Sequence, residues 1–277
     1  GGTHPRQRVA ERVAHGRHQH IHVRLNLAAV GSLHHAGIAL VGQIVSRLGR
    51  VWLVLVDGRL QLLGRAACGQ RGLVVVETST LDIADKTAAR DTLKAQGIVM
   101  LDCPLSGTGA QAVHKDLTVY ASGPKAAIKQ LAPVFEGFSK STFDLGAFGN
   151  GMKMKLVANL LVAIHNVSTA EAVLFGKRMG LDPKAIVEVV ADGAGGSRMF
   201  QVRGPMMVTR GWDDATMKIE VWQKDMTIID NALRALCLPS PLFAACIPIY
   251  HAAMAQGHAL HDTAAVYAVL EKFAGES

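Results

Sequence analysis

The stretch Gly149-Asn150-Gly151-Met152-Lys153-Met154-Lys155-Leu156-Val157-Ala158-Asn159 stands where this chain changes character. From it onward the pattern supports one continuous helix over 152–179, with Gly180 as its C-terminal stop. Upstream, short β-branched runs alternate with helical segments. Strands are expected at 73–76, 98–101, 117–121 and near 141–144. Helices are expected through Asp82, Ala84, Ala88, Ala89 and Leu93, closed by Gly97, and over 125–134. Downstream only helical periodicity follows, at 183–191, 222–235, 242–255 and 263–273. The alternation predicts an α/β domain over 1–150 and the helical periodicity an all-helical domain over 151–277.

The length of 277 residues and the apolar share of 49% suit two modest cores better than one large one. The strongly apolar stretches, such as 156–164, are shorter than a membrane span requires. The N-terminus lacks the apolar run and small-residue cleavage site of a secretory signal, so a cytoplasmic location is expected, with no membrane partner. Cys68, Cys103, Cys237 and Cys246 are scattered without a C-x-x-C, which argues for buried free thiols and against a metal site or a disulfide framework.

The net charge of +7 is unevenly distributed. Residues 1–72 hold ten Arg, seven of the twelve His, no Lys, and only Glu11 and Asp57 as acids; the rest of the chain is close to neutral. Three readings of this segment stand side by side. It is a basic arm for nucleic acid or membrane, although it lacks aromatic interleaving and a clean amphipathic helix. It holds metal through His18, His20 and His22 or through His34 and His35, although no acidic or Cys partner stands nearby. Or it is an out-of-frame or mis-joined translation of a GC-rich gene. The neutral remainder speaks against a nucleic-acid partner for the folded part.

The loop Leu101-Asp102-Cys103-Pro104-Leu105-Ser106-Gly107-Thr108-Gly109-Ala110 resembles the D-x-P-V-S-G-G loop of the β-hydroxyacid dehydrogenase family, which includes 3-hydroxyisobutyrate dehydrogenase. Further motifs follow in the family's order: Leu117-Thr118-Val119 with Gly123, Gly149-x-Gly151-x-x-x-Lys155-x-x-x-Asn159, Gly195 with Ser197, and Lys224-Asp225. Leu238-Pro239-x-Pro241-Leu242 and Gly257-His258 with Asp262 complete the set. The resemblance covers about residues 73–273. It implies a Rossmann-like nucleotide-binding domain, a long interdomain helix, NAD or NADP as cofactor, and a small hydroxy acid as substrate. It also implies a homodimer or homotetramer built through the C-terminal helices.

On this resemblance Lys155 and Asn159 are the candidate catalytic pair. They lie four apart on one helix face, whereas Lys153 points elsewhere. Oxidising an alcohol by hydride transfer requires removal of the hydroxyl proton, and a lysine can accept it if burial or a neighbouring cation lowers its pKa. Asn159 can position the hydroxyl and the lysine together. Ser106, Gly107 and Thr108 follow a strand end, where a hydroxyl and open backbone N–H groups can hold a carboxylate. Thr108 stands where the family usually has a second Gly. Ser79 and Thr80, at another strand end, and Lys224, at a helix start, are the cofactor-side candidates; capping of the next helix explains Ser79 and Thr80 equally well. Asp225 reads as structural. His165, His251, His258 and His261 receive no catalytic role. The G-x-G-x-x-A at residues 107–112 runs quickly into another strand and is not read as a dinucleotide fingerprint.

No G-x-G-x-x-G stands upstream of Gly72. The alternative expectation is therefore a non-catalytic, helix-mediated dimer or binding module that binds cofactor poorly.

Overall fold

A computed structural model describes residues 51–54, 74–108, 111–112 and 114–276. The basic residues before 51, Cys68, Leu73, Gly109 and Ala110 lie outside them, and so do the three readings of the basic segment.

Strands β1 (Val51–Val54), β2 (Val74–Glu77) and β3 (Val99–Asp102) form a parallel sheet in the order β1-β2-β3. All four residues of β2 are buried, the signature of a parallel strand covered on both faces. Between β2 and β3 runs helix α1 (Ile83–Lys94), whose N-cap Asp82 accepts a hydrogen bond from Ala84 N. Ser79 and Thr80 are therefore not the capping residues. A second sheet holds β4 (Leu105–Ser106), antiparallel to β5 (Thr118–Ala121), which pairs in parallel with β6 (Ser141–Asp144). A bridge from Asp102 to Ser122 joins the two sheets.

The helix expected over 125–134 is two short ones, α2 (Lys125–Gln130) and α3 (Ala132–Glu136). Pro133 has no N–H to offer a continuing helix, and the break falls just before it, at Leu131.

After Asp144 the described residues are helical. Helix α4 (Asn150–Arg178) is followed by α5 (Pro183–Asp192), α6 (Arg198–Thr209), α7 (Ile219–Ala235), α8 (Pro241–Ala255), a short 3-10 turn (Thr263–Ala265) and α9 (Val266–Phe273). Helix α4 passes down the middle of this half and packs against α5, α6, α7, α8 and α9. Ala163, Ala170, Val173, Phe200, Met207, Trp222, Phe243, Tyr250 and Val269 fill the core around it. Its length and mean hydropathy of 1.4 would allow a membrane span, but the helices packed on it, and the buried Asn159 and Asn166, make it a core helix.

Helix α6 escapes the sequence pattern because Gly204-Pro205 reads as a breaker. Ser197 caps its start by accepting from Phe200 N, and the buried Phe200 and Met207 hold it against α4. A Cβ on Gly204 would lie 3.2 Å from Val187 Cγ2, a close approach that the valine side chain would have to ease. Of the cysteines described, Cys103 and Cys246 are buried as expected, whereas Cys237 is exposed.

Candidate active site

The start of α4 is seated on the sheets. Gly149 turns into the helix with φ 93°, and a Cβ on Gly151 would come within 2.3 Å of Tyr120 O and 2.7 Å of Asp102 O. Only glycine permits this approach. One turn later stands Lys155, and a further turn on Asn159 reaches α7, which packs on α4.

There Asn159 Nδ2 donates to Asp225 Oδ2 at 2.8 Å, with Asn159 only 4% and Asp225 only 6% exposed. Lys224 Nζ lies 3.4 Å from Asp225 Oδ1 and donates to Thr80 O at 2.7 Å, tying the helical half to the end of β2. The structure thus brings Lys155, Asn159, Lys224 and Thr80 together, and it adds Asp225. Asp225, read from the sequence as structural, bonds both Asn159 and Lys224 through its carboxylate and so lies at the centre of the cluster. Lys224 sits in the second turn of α7, not at its start, because the helix begins at Ile219.

The electrostatics of Lys155 follow from these neighbours. Burial lowers its pKa to about 8; the Asp225 carboxylate pulls the other way, and the Lys224 and Lys86 ammonium groups add to the lowering. Burial in turn pushes the Asp225 carboxyl upward, against the pull of Lys224, Lys155 and Asn159.

The second arm of the site is the turn after β3. Ser106 ends β4, which packs on α4, and is paired with Thr118. Gly107 has φ 121°, and a Cβ on it would meet Leu117 Cδ2 at 2.6 Å. Thr108 N donates to Gln111 Oε1 at 3.0 Å, and its hydroxyl lies 3.4 Å from the same oxygen. Gln111 Nε2 in turn donates to Asp116 Oδ2, which also accepts from Arg198 at the start of α6. An acceptor oxygen of the chain itself therefore already occupies the Thr108 donors.

On the cofactor side, Ser79 N donates to Glu77 Oε1, and the buried hydroxyl of Thr78 has no partner among the described residues. The carboxyl ends of parallel strands are where open α/β sheets receive dinucleotides, so a spare hydroxyl and the Lys224–Thr80 tie at the end of β2 fit the nicotinamide end of such a cofactor. The turn that would hold its pyrophosphate lies outside the described residues. Among the described residues no group of three or more His, Cys, Asp or Glu could hold a metal ion.

Asp225 carried a signal in the sequence: it shares the buried stripe of α7 with Trp222, Met226 and Ile229 at helical spacing. Lys86 did too, since it lies seven residues before the buried Leu93 on α1. Asp116 and Arg198 carried none, because their pairing depends on how two distant loops meet.

Comparison with known proteins extends this picture. The profile described as the NAD binding domain of 6-phosphogluconate dehydrogenase matches residues 26–146. The profile described as NAD-binding of NADP-dependent 3-hydroxyisobutyrate dehydrogenase matches residues 149–270. The first match reaches into 26–72, where the motifs alone had shown no likeness. Glyoxylate/succinic semialdehyde reductase 2, chloroplastic, of Arabidopsis thaliana is 32% identical over 213 residues, which are 74% of this chain and 59% of that protein. L-Threonate dehydrogenase of Cupriavidus necator is 33% identical over 204 residues, 73% of this chain and 68% of that protein. The crystal structure of 3-hydroxyisobutyrate dehydrogenase from Salmonella typhimurium superposes with a TM-score of 0.72 at 26% identity, covering 80% of each chain.

Proposed function

Because the chain belongs to the β-hydroxyacid dehydrogenase family, we propose that it interconverts a short hydroxy acid and its oxo form with NAD or NADP, with Lys155 taking and returning the hydroxyl proton. The bound nicotinamide would supply the hydride acceptor or donor. All else is the work of side chains.

The observation that carries this reading is the setting of Lys155: a lysine brought to a pKa of about 8 by burial, one helix turn from Asn159 and facing a buried carboxylate. A general base works best when its pKa is near the working pH. In the oxidation direction the neutral amine accepts the hydroxyl proton at Nζ, and the Asp225 carboxylate offsets the ammonium charge that results. Asn159 holds Asp225 in place through its amide N–H and orients it toward the lysine. In the reduction direction the ammonium returns the proton to the new alkoxide oxygen.

The substrate carboxylate is expected at Ser106, Gly107 and Thr108, where the Thr108 N–H and hydroxyl would exchange the Gln111 oxygen for a charged one. Ser79, Thr80 and Lys224 would border the nicotinamide. The relatives named above act on L-threonate and on glyoxylate or succinic semialdehyde, so small polar acids of that kind are the first substrates to assay. Turnover of at least one short hydroxy acid, followed by reduced-nicotinamide absorbance with both cofactors, supports the reading. Absence of turnover across such a panel, with the full chain folded, refutes it.

A further inference from the structure

Lys86 on α1 has a side chain with no exposed surface. Its Nζ lies 2.5 Å from Glu77 Oε2 and 2.8 Å from Asp102 Oδ1, so one ammonium joins the last residues of β2 and β3. Apart from its small share in lowering the Lys155 pKa, nothing in the chemistry above uses it. A buried ion cluster is a weak source of stability, because desolvation offsets most of the attraction and apolar residues of the same volume do as well. Its geometry, however, does what an apolar cluster cannot.

The other oxygen of Asp102, Oδ2, accepts from Met152 N at 2.8 Å and from Ser122 Oγ at 3.1 Å. Ser122 Oγ in turn accepts from Gly151 N at 2.9 Å. Two of the first-turn N–H groups of α4, which have no partner within the helix, are thus held by side chains reaching from the sheet region. A carboxylate at this end also suits the positive pole of the helix. Gly151 rests so close to the carbonyls of Tyr120 and Asp102 that the helix start has one seating. Lys155 follows Met152 by three residues, on the same face.

Resting on the proton-transfer reading of Lys155, we propose that Lys86 is a positioning residue for that reaction. By gripping one oxygen of Asp102 it turns the other onto α4, and so sets where Lys155 stands relative to Asp225 and the substrate. The ionisable groups that face Lys86 are Glu77 on β2, Asp102 on β3, the neighbouring Cys103 thiol and Lys155 on α4; those that face Lys155 from α7 are Lys224 and Asp225.

Two variants of the full chain test this: Lys86→Met, which removes the grip, and Ser122→Ala, which keeps every charge but loosens the seat. The first readout is acetylation of Lys155 by acetic anhydride across pH, followed by mass spectrometry, which requires neither cofactor nor turnover. In Lys86→Met the labelling midpoint of Lys155 should rise, since a neighbouring cation is gone. A folded Lys86→Met chain with the wild-type midpoint overturns the proposal. The second readout is steady-state kinetics of Ser122→Ala, in which kcat should fall about tenfold or more with substrate KM little changed. Wild-type kcat in that variant overturns the proposal by itself, and decides the matter if Lys86→Met does not fold. A wild-type chain that oxidises no hydroxy acid would refute the functional reading, while the labelling midpoint would still measure whether Lys86 acts on Lys155.

Discussion

Asn159 and Asp225, sixty-six residues apart on α4 and α7, share a buried hydrogen bond of 2.8 Å that fixes the only carboxylate acting on Lys155 among the described residues. This carboxylate holds the lysine pKa up against burial. Replacing it by Asp225→Asn removes the opposing negative charge, so the lysine should become easier to deprotonate. The acidic limb of the pH–rate profile for oxidation is expected to move below the wild-type value near 8. A limb that stays in place would remove Asp225 from the proton-transfer machinery.

The adjacent residue should act in the opposite sense. Lys224 lowers the Lys155 pKa by like-charge repulsion and ties α7 to Thr80. In Lys224→Ala the same limb should move to higher pH, and cofactor KM should rise by about tenfold as a charged contact of roughly 1.4 kcal/mol is lost. Steady-state kinetics over pH 6 to 10 separates the two neighbours; shifts in the same direction would contradict the assigned charges.

A lysine whose pKa is lowered by burial should cost stability. Its folded pKa of about 8 lies below the ordinary value of 10.5, so between these the unfolded chain binds more protons and stability rises with pH. The penalty is complete below about pH 8 and gone above about 10.5. Lys155→Met is therefore expected to raise Tm at pH 7 and to lose that advantage by pH 10.5. Thermal unfolding at the two pH values checks this, and an unchanged or lower Tm at pH 7 would contradict it.

Gly151 tests the seating of helix α4. Gly151→Ala would place a methyl 2.3 Å from Tyr120 O, a backbone atom that cannot swing away. Overpacking of this kind costs about 1–3 kcal/mol. The expected result is a lower Tm together with a fall in kcat, and a variant with wild-type values for both would show that the helix start tolerates more room than the geometry allows.

Most of this architecture was legible in the sequence because period and punctuation agree. The Val-rich run of β2, the stop at Gly97 and the long register from Met152 to Gly180 each answer to one local rule. The segment 198–209 broke that agreement, since Gly204-Pro205 signals a turn while tertiary packing of Phe200 and Met207 imposes a helix. Lys155 and Asn159 were found because the motif carries their spacing. The buried stripes of α7 and α1 mark Asp225 and Lys86 as buried polar residues, but what these and Ser122 do depends on partners on other elements, and a side chain's partner is a property of the packed fold. The Gly-rich turn that the family resemblance would place near the N-terminus is absent as a pattern from residues 1–72, although the profile match begins at residue 26.

The central claim is that Lys155 moves the proton. The most direct measurement is kcat of Lys155→Ala for hydroxy-acid oxidation, beside the wild-type chain, with circular dichroism to verify the fold and cofactor titration to verify binding. We expect a loss of about 10²–10⁴ in kcat, the usual contribution of a general base, and disappearance of the limb near pH 8. A folded, cofactor-binding Lys155→Ala chain that keeps near-normal turnover and the same pH profile would contradict the account.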